Sequence, residues 1–125
     1  MAKILIIDDE AMVRYSLKIV LENAGHEVVE AENGVDGLSK ISGHSFDVVV
    51  TDIIMPEKEG VGTIIEMKTK YPSLPVIAIS GGGPDGYTGY LETAKALGAD
   101  RTLEKPVSAE ALLDAVANCL STARS

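Results

Sequence analysis

Four short aliphatic runs, each followed by an acid or a hydroxyl, constrain this chain more than any other feature. They are Ile4-Leu5-Ile6-Ile7 before Asp8, Val28-Val29 before Glu30, Val48-Val49-Val50 before Thr51-Asp52, and Val76-Ile77-Ala78-Ile79 before Ser80. They are short for helices and too apolar for exposed loops. Continuous rather than alternating hydrophobicity marks strands covered on both faces. A fifth strand is predicted over Arg101 to Glu104. Helical spacing fills the intervals. Val13, Leu17, Val20, Leu21 and Ala24 fall on one face, with Gly25 as a C-cap; Val35, Leu38 and Ile41 follow, ending near Gly43. Val61, Ile64 and Ile65 open a third helix that stops before Pro72, and Tyr90, Leu91, Ala94 and Leu97 form a fourth closed by Gly98. Ala109, Leu112, Leu113, Val116, Ala117 and Leu120 make the clearest amphipathic helix.

Five strand–helix units imply a parallel sheet with helices on both faces. Right-handed crossovers leave few arrangements, and five strands suit the order 2-1-3-4-5 of a doubly wound α/β fold. In such a sheet ligands bind at the carboxyl ends of the strands, near the switch point between strands 1 and 3. The 125 residues make one domain, with Ser121 to Ser125 left over as a short polar tail after a domain over residues 1–120.

Composition narrows the function. With 11 basic and 19 acidic residues the net charge is −8, which argues against a nucleic-acid surface. The single cysteine excludes an internal disulfide and fits a reducing compartment. No apolar run reaches the roughly 18 residues of a membrane span, and Ile4 to Ile7 is too short for a signal peptide. A cytoplasmic domain without membrane attachment is expected.

The chemistry gathers at the strand ends. Asp8 and Asp9 close strand 1, Asp52 closes strand 3, Ser80 closes strand 4, and Lys105 follows strand 5. One such acid is an ordinary helix N-cap. The whole set is not, because neither Asp52 nor Lys105 begins a helix. Two unit charges about 4 Å apart repel by about 4 kcal/mol at an effective dielectric near 20. A hard divalent cation removes that cost, and so few oxygen ligands favour a partly hydrated Mg²⁺ over caged Ca²⁺. Two histidines and one cysteine make no convincing zinc site. Mg²⁺, an acid, a hydroxyl and a lysine together suit phosphoryl transfer. Gly81 to Gly86 carries no lysine, so a P-loop nucleotide is not the donor. A carboxylate can itself be the nucleophile, and Asp52 is the best placed.

The motifs Ile6-Ile7-Asp8-Asp9-Glu10, Asp52-x-x-Met55-Pro56-x-x-x-Gly60, Ser80-Gly81 and Lys105-Pro106 resemble the receiver domain of bacterial two-component response regulators. The resemblance covers essentially the whole chain and implies a flavodoxin-like (βα)₅ fold. It implies that Asp52 accepts a phosphoryl group from a sensor histidine kinase or a histidine phosphotransfer protein. Asp9, Asp52 and the backbone carbonyl of Ile54 would bind Mg²⁺, or Mn²⁺ in its place, directly, and Asp8 through water. Lys105 would contact the phosphoryl group, and Ser80 would swing toward it. The Lys105–Pro106 bond is expected to be cis. The protein would be a signalling switch, monomeric or dimerising on phosphorylation. It would catalyse its own phosphorylation and dephosphorylation but no metabolic reaction. No effector domain is expected within these 125 residues.

Three departures from the family pattern stand out. Thr102 occupies the switch position, three residues before the lysine, where relatives carry Tyr or Phe. The coupled swing of a hydroxyl and a ring is therefore not expected, and the glycine loop after Ser80 is the expected carrier of conformational change. Ile54 and Gly82 replace polar side chains that orient water, so dephosphorylation is not expected to be fast.

Other classes fit less well. A phosphatase with a nucleophile after strand 1 needs Asp-x-Asp, and a flavin carrier needs a hydroxyl-rich loop where this chain has three acids. A degenerate receiver used as a protein-binding scaffold is the alternative, and the intact acid–hydroxyl–lysine set argues against it. His26 and His44 read as solvated histidines near helix ends, and Cys119 as a structural thiol.

Overall fold

The computed structural model describes residues 2–52, 59–80 and 98–123. The glycine loop, the helix predicted from Tyr90 to Leu97, Ile54 and the Met55-Pro56 break lie outside them.

Five strands, β1 (Lys3–Ile7), β2 (Glu27–Ala31), β3 (Val48–Asp52), β4 (Val76–Ser80) and β5 (Arg101–Glu104), form one parallel sheet in the order β2-β1-β3-β4-β5. Four helices are described: α1 (Ala11–Asn23), α2 (Gly34–Gly43), α3 (Glu59–Lys70) and α4 (Ala109–Ala123). All five residues of β3 and of β4 are buried, which accounts for their unbroken apolar runs.

Alternation along the strands splits the core into two layers. Leu5, Ile7, Val49, Val76 and Ala78 pack with Ile41 of α2 and with Ile64 and Met67 of α3. Ile4, Ile6, Val48, Val50, Ile77 and Ile79 pack with Leu17 and Leu21 of α1 and with Leu112 and Val116 of α4. Each fully buried side chain of this kind contributes roughly 1.5–3 kcal/mol.

Local chemistry sets the helix ends. The Asn33 side chain accepts the Asp36 amide hydrogen at 2.8 Å and caps α2, with Asp36 in the first turn and Lys40 in the last. Ser108 Oγ accepts the Ala111 N–H at 3.1 Å at the start of α4. After α1, Gly25 takes φ +94°, a left-handed conformation that suits glycine.

Four expectations need correction. α4 continues to Ala123, so the stretch read as a tail begins inside a helix. On α3, Ile65 is 45% exposed while Thr63 and Met67 are buried; the inward stripe is Thr63-Ile64-Met67 rather than Ile64-Ile65. On α2, Val35 points outward, and Gly34, Gly37 and Ile41 form the buried face.

His26 is also not simply a solvated histidine near a helix end. Its Nδ1 accepts the Ala2 N–H at 3.1 Å, so the ring is a neutral acceptor. Burial, reinforced by the positive amino terminus, lowers its pKa below 6.5. His44 is exposed and stacks on Phe46 at 5.8 Å between ring centroids. Cys119 is buried on α4; burial, then the Asp100 carboxylate, raises its thiol pKa, which makes it a poor nucleophile.

Candidate functional site

Sheet register carries the polar residues to one edge. Asp52 lies opposite Ile79 and Ser80 opposite Glu104, while Asp8 directly follows Ile7, whose partner is Thr51. All these positions are the carboxyl ends of parallel strands. By alternation Asp8 continues the Ile4–Ile6 side of β1, and Asp52 continues the Val48–Val50 side of β3. The two carboxylates therefore emerge on the same layer.

Lys105 meets them there. Its Nζ donates to Asp52 Oδ2 at 2.8 Å and lies 3.3 Å from Asp8 Oδ2 and 3.9 Å from Glu10 Oε1. The Lys105 N–H donates to the Ser80 carbonyl at 2.8 Å, which fixes the lysine backbone to the end of β4. The Lys105–Pro106 peptide bond is cis. Asp52 is 3% exposed and Ser80 is fully buried.

Electrostatics match this crowding. Burial raises the Asp8 pKa above 3.8; the Glu10 amide opposes the rise, the Asp52 charge adds to it, and Lys105 opposes it. Asp8 Oδ1 accepts that Glu10 N–H at 2.9 Å. Burial alone would lower the Lys105 pKa, but the hydrogen bond and charge of Asp52, then Asp8, raise it above 10.5. The lysine is a firmly held cation.

Asp8, Asp9 and Glu10 each bring a carboxylate oxygen within 4.8 Å of the others. A hard-oxygen donor set of this size fits a divalent cation such as Mg²⁺. The sequence places Glu10 in a motif and not among the expected site residues. Its signal was its place beside Asp8-Asp9. Thr102 is half-buried on β5, paired with Ala78 and one residue back from the Ser80–Glu104 pair. Ile54 lies outside the described residues.

Known proteins share the sequence pattern and the fold of this chain. The family model for the response regulator receiver domain matches residues 4–117. The chemotaxis protein CheY of Bacillus subtilis is 36% identical over 120 residues, covering 95% of this chain and 98% of that protein. CheY of Listeria monocytogenes is 35% identical over 117 residues, covering 93% and 96%. The crystal structure of a receiver domain protein from Clostridium thermocellum superposes with a TM-score of 0.90 at 35% identity, over 99% of this chain and 98% of that one. No helix among the described residues is long and apolar enough to cross a membrane.

Proposed function

The chain belongs to the response regulator receiver domain family, and from that membership we propose that it is a phosphorylation-controlled switch with Asp52 as phosphoacceptor. Receiver domains act with histidine kinases and effector partners; this one is a signalling protein and not a metabolic enzyme. The observation that carries the reading is the Lys105 ammonium, 2.8 Å from Asp52 and 3.3 Å from Asp8, beside the Asp8-Asp9-Glu10 cluster.

A phosphohistidine on the donor protein presents its phosphorus to an Asp52 carboxylate oxygen. The new P–O bond forms as the P–N bond breaks, and the imidazole nitrogen keeps the electron pair and takes a proton from solvent. Lys105 pairs with Asp52 before transfer and with the phosphoryl oxygens after it. It keeps a cation where negative charge accumulates. Ser80, at the end of the adjacent strand, donates its hydroxyl hydrogen to a phosphoryl oxygen. Asp8 and Asp9, with Asp52 and the Ile54 carbonyl, would hold Mg²⁺ or Mn²⁺. Such an ion, when bound, neutralises the acids and the phosphoryl oxygens together.

Intact mass after incubation with acetyl phosphate tests the reading. A single phosphoryl gain is expected that requires Mg²⁺ and is absent from Asp52→Asn. No gain in the wild type, with no Mg²⁺ bound, would leave the scaffold reading in its place.

A further inference from the structure

We propose that Arg14 is a positioning residue for the acidic loop, clamping its backbone so that Asp8 and Asp9 can hold a divalent cation. The proposal rests on the metal-dependent reading above.

Arg14 stands one helical turn after Glu10, and its side chain holds the start of the Asp8-Asp9-Glu10 triplet while its main chain closes the first helical turn on the other end. Its side-chain Nη1 donates to the Asp8 carbonyl oxygen at 2.6 Å. Its backbone N–H donates to the Glu10 carbonyl oxygen at 3.1 Å. The side chain is 16% exposed, so the guanidinium is largely withdrawn from water. A charge-assisted bond there is stronger than a neutral one.

The guanidinium is itself oriented. Its Nε donates to Glu30 Oε1 on β2 at 3.3 Å. Glu30 Oε2 also lies 3.6 Å from Lys18 Nζ, and the Glu30 carbonyl accepts from Lys40 Nζ at 2.5 Å. Lys40 in turn reaches Asp36 at 3.1 Å. Arg14 thus hangs from a braced strand and not from a free side chain. The planar fork suits this double duty, because one face reaches a carbonyl and another a carboxylate.

Lys105 holds the triplet from the other side. It grips carboxylates, whereas the Arg14 guanidinium grips the Asp8 main-chain carbonyl. The two cations therefore have different consequences for metal binding. A cation that served only as a counter-ion would oppose Mg²⁺, and its removal would tighten the metal. A clamp that sets the spacing of repelling carboxylates has the opposite sign, because its removal lets them spread. Residues that orient metal ligands from behind typically alter affinity by roughly 10–100-fold.

The experiment titrates the full chain with Mg²⁺ alone and follows the Asp9 and Glu10 amide resonances. Thermal melts without metal report folding separately. Wild type is expected to bind, and Arg14→Met to bind about tenfold more weakly despite losing a positive charge. Arg14→Lys keeps the charge but cannot span both acceptors, so it should fall between the two. Glu30→Gln should weaken binding in the same direction as Arg14→Met and by less. Unchanged or tighter binding in folded Arg14→Met overturns the proposal while leaving the phosphorylation reading intact. If Arg14→Met does not fold, wild-type affinity in Arg14→Lys overturns it instead. A wild type that binds no Mg²⁺ overturns the metal-dependent reading and the clamp with it.

Discussion

Lys105 and Asp52 are 53 residues apart in the chain and meet at 2.8 Å, with side chains that are 21% and 3% exposed. Removing the lysine takes away the ammonium that both Asp8 and Asp52 face. Breaking a fully buried pair costs about 3–5 kcal/mol. Lys105 retains some solvent, so Lys105→Met should lose about 2 kcal/mol in metal-free denaturant unfolding. Mg²⁺ should restore part of that loss by replacing the missing charge. With acetyl phosphate, the initial rate of mass gain should fall about 100-fold, as for loss of one preorganised group facing developing charge. An unchanged rate would remove Lys105 from the transfer step.

Asp8 has the opposite balance. Its folded pKa is raised above 3.8, by burial first, so the folded state binds protons more readily than the unfolded one. Such a carboxyl weakens the fold as pH rises from the unfolded pKa through the folded one. At neutral pH without metal, Asp8→Asn should therefore raise the melting temperature, by about 4 °C for each kcal/mol regained. Asn keeps an oxygen for the Glu10 N–H that Asp8 now accepts. Saturating Mg²⁺ should reverse the ranking, because only the wild type keeps its full ligand charge. A lower metal-free melting point for Asp8→Asn would show that its pairing with Lys105 outweighs burial.

Much of this was legible in the sequence because β3 and β4 are buried on both faces and their apolar runs are continuous. The acids at the strand ends followed from the order of the sheet. What could not be read was burial without hydrophobicity. Gly37 is inward because α2 approaches β1 closely, and its neighbour Val35, the better apolar signal, is 73% exposed. Thr63 is buried in the same way while Ile65 is exposed. The end of α4 is not legible because Ser121 and Thr122 have only modest helix propensity, although Ala123 is a strong helix former and none of the three is a stop signal. Arg14 fell outside the apolar stripe of α1, and its value comes from a β2 residue that no local pattern connects to it.

His26 supplies a pH dependence independent of the acidic site. Its folded pKa lies below 6.5, through burial first and the amino terminus second, so the unfolded state takes up the proton more readily. The sign follows: stability held above pH 6.5 is lost as pH falls toward the lower folded value. His26→Gln keeps a side-chain acceptor for the Ala2 N–H but cannot titrate. The stability difference between wild type and His26→Gln should be flat from pH 8 to pH 7 and move against the wild type between about pH 6.5 and pH 5. Denaturant midpoints at intervals across that range check it, and a constant difference would mean that the ring takes up its proton equally readily in both states.

Two glycines on successive helices should respond to alanine with opposite signs. At Gly37 a Cβ would collide with Ile7 Cδ1 and come within 2.9 Å of its Cγ1. Ile7 is fully buried in the layer with Leu5 and Val49, so it has little room to retreat. Gly37→Ala should cost about 1–3 kcal/mol by overpacking, against which the helix-propensity gain of under about 1 kcal/mol is small. Gly62, inside α3, has nothing within 4 Å of the same position. Gly62→Ala should stabilise by about 0.4–1 kcal/mol, chiefly by narrowing the unfolded ensemble. Equilibrium unfolding of both single variants separates the two effects. Because Ile7 directly precedes Asp8, Gly37→Ala should also shift the Asp8 amide resonance, whereas Gly62→Ala should leave it in place.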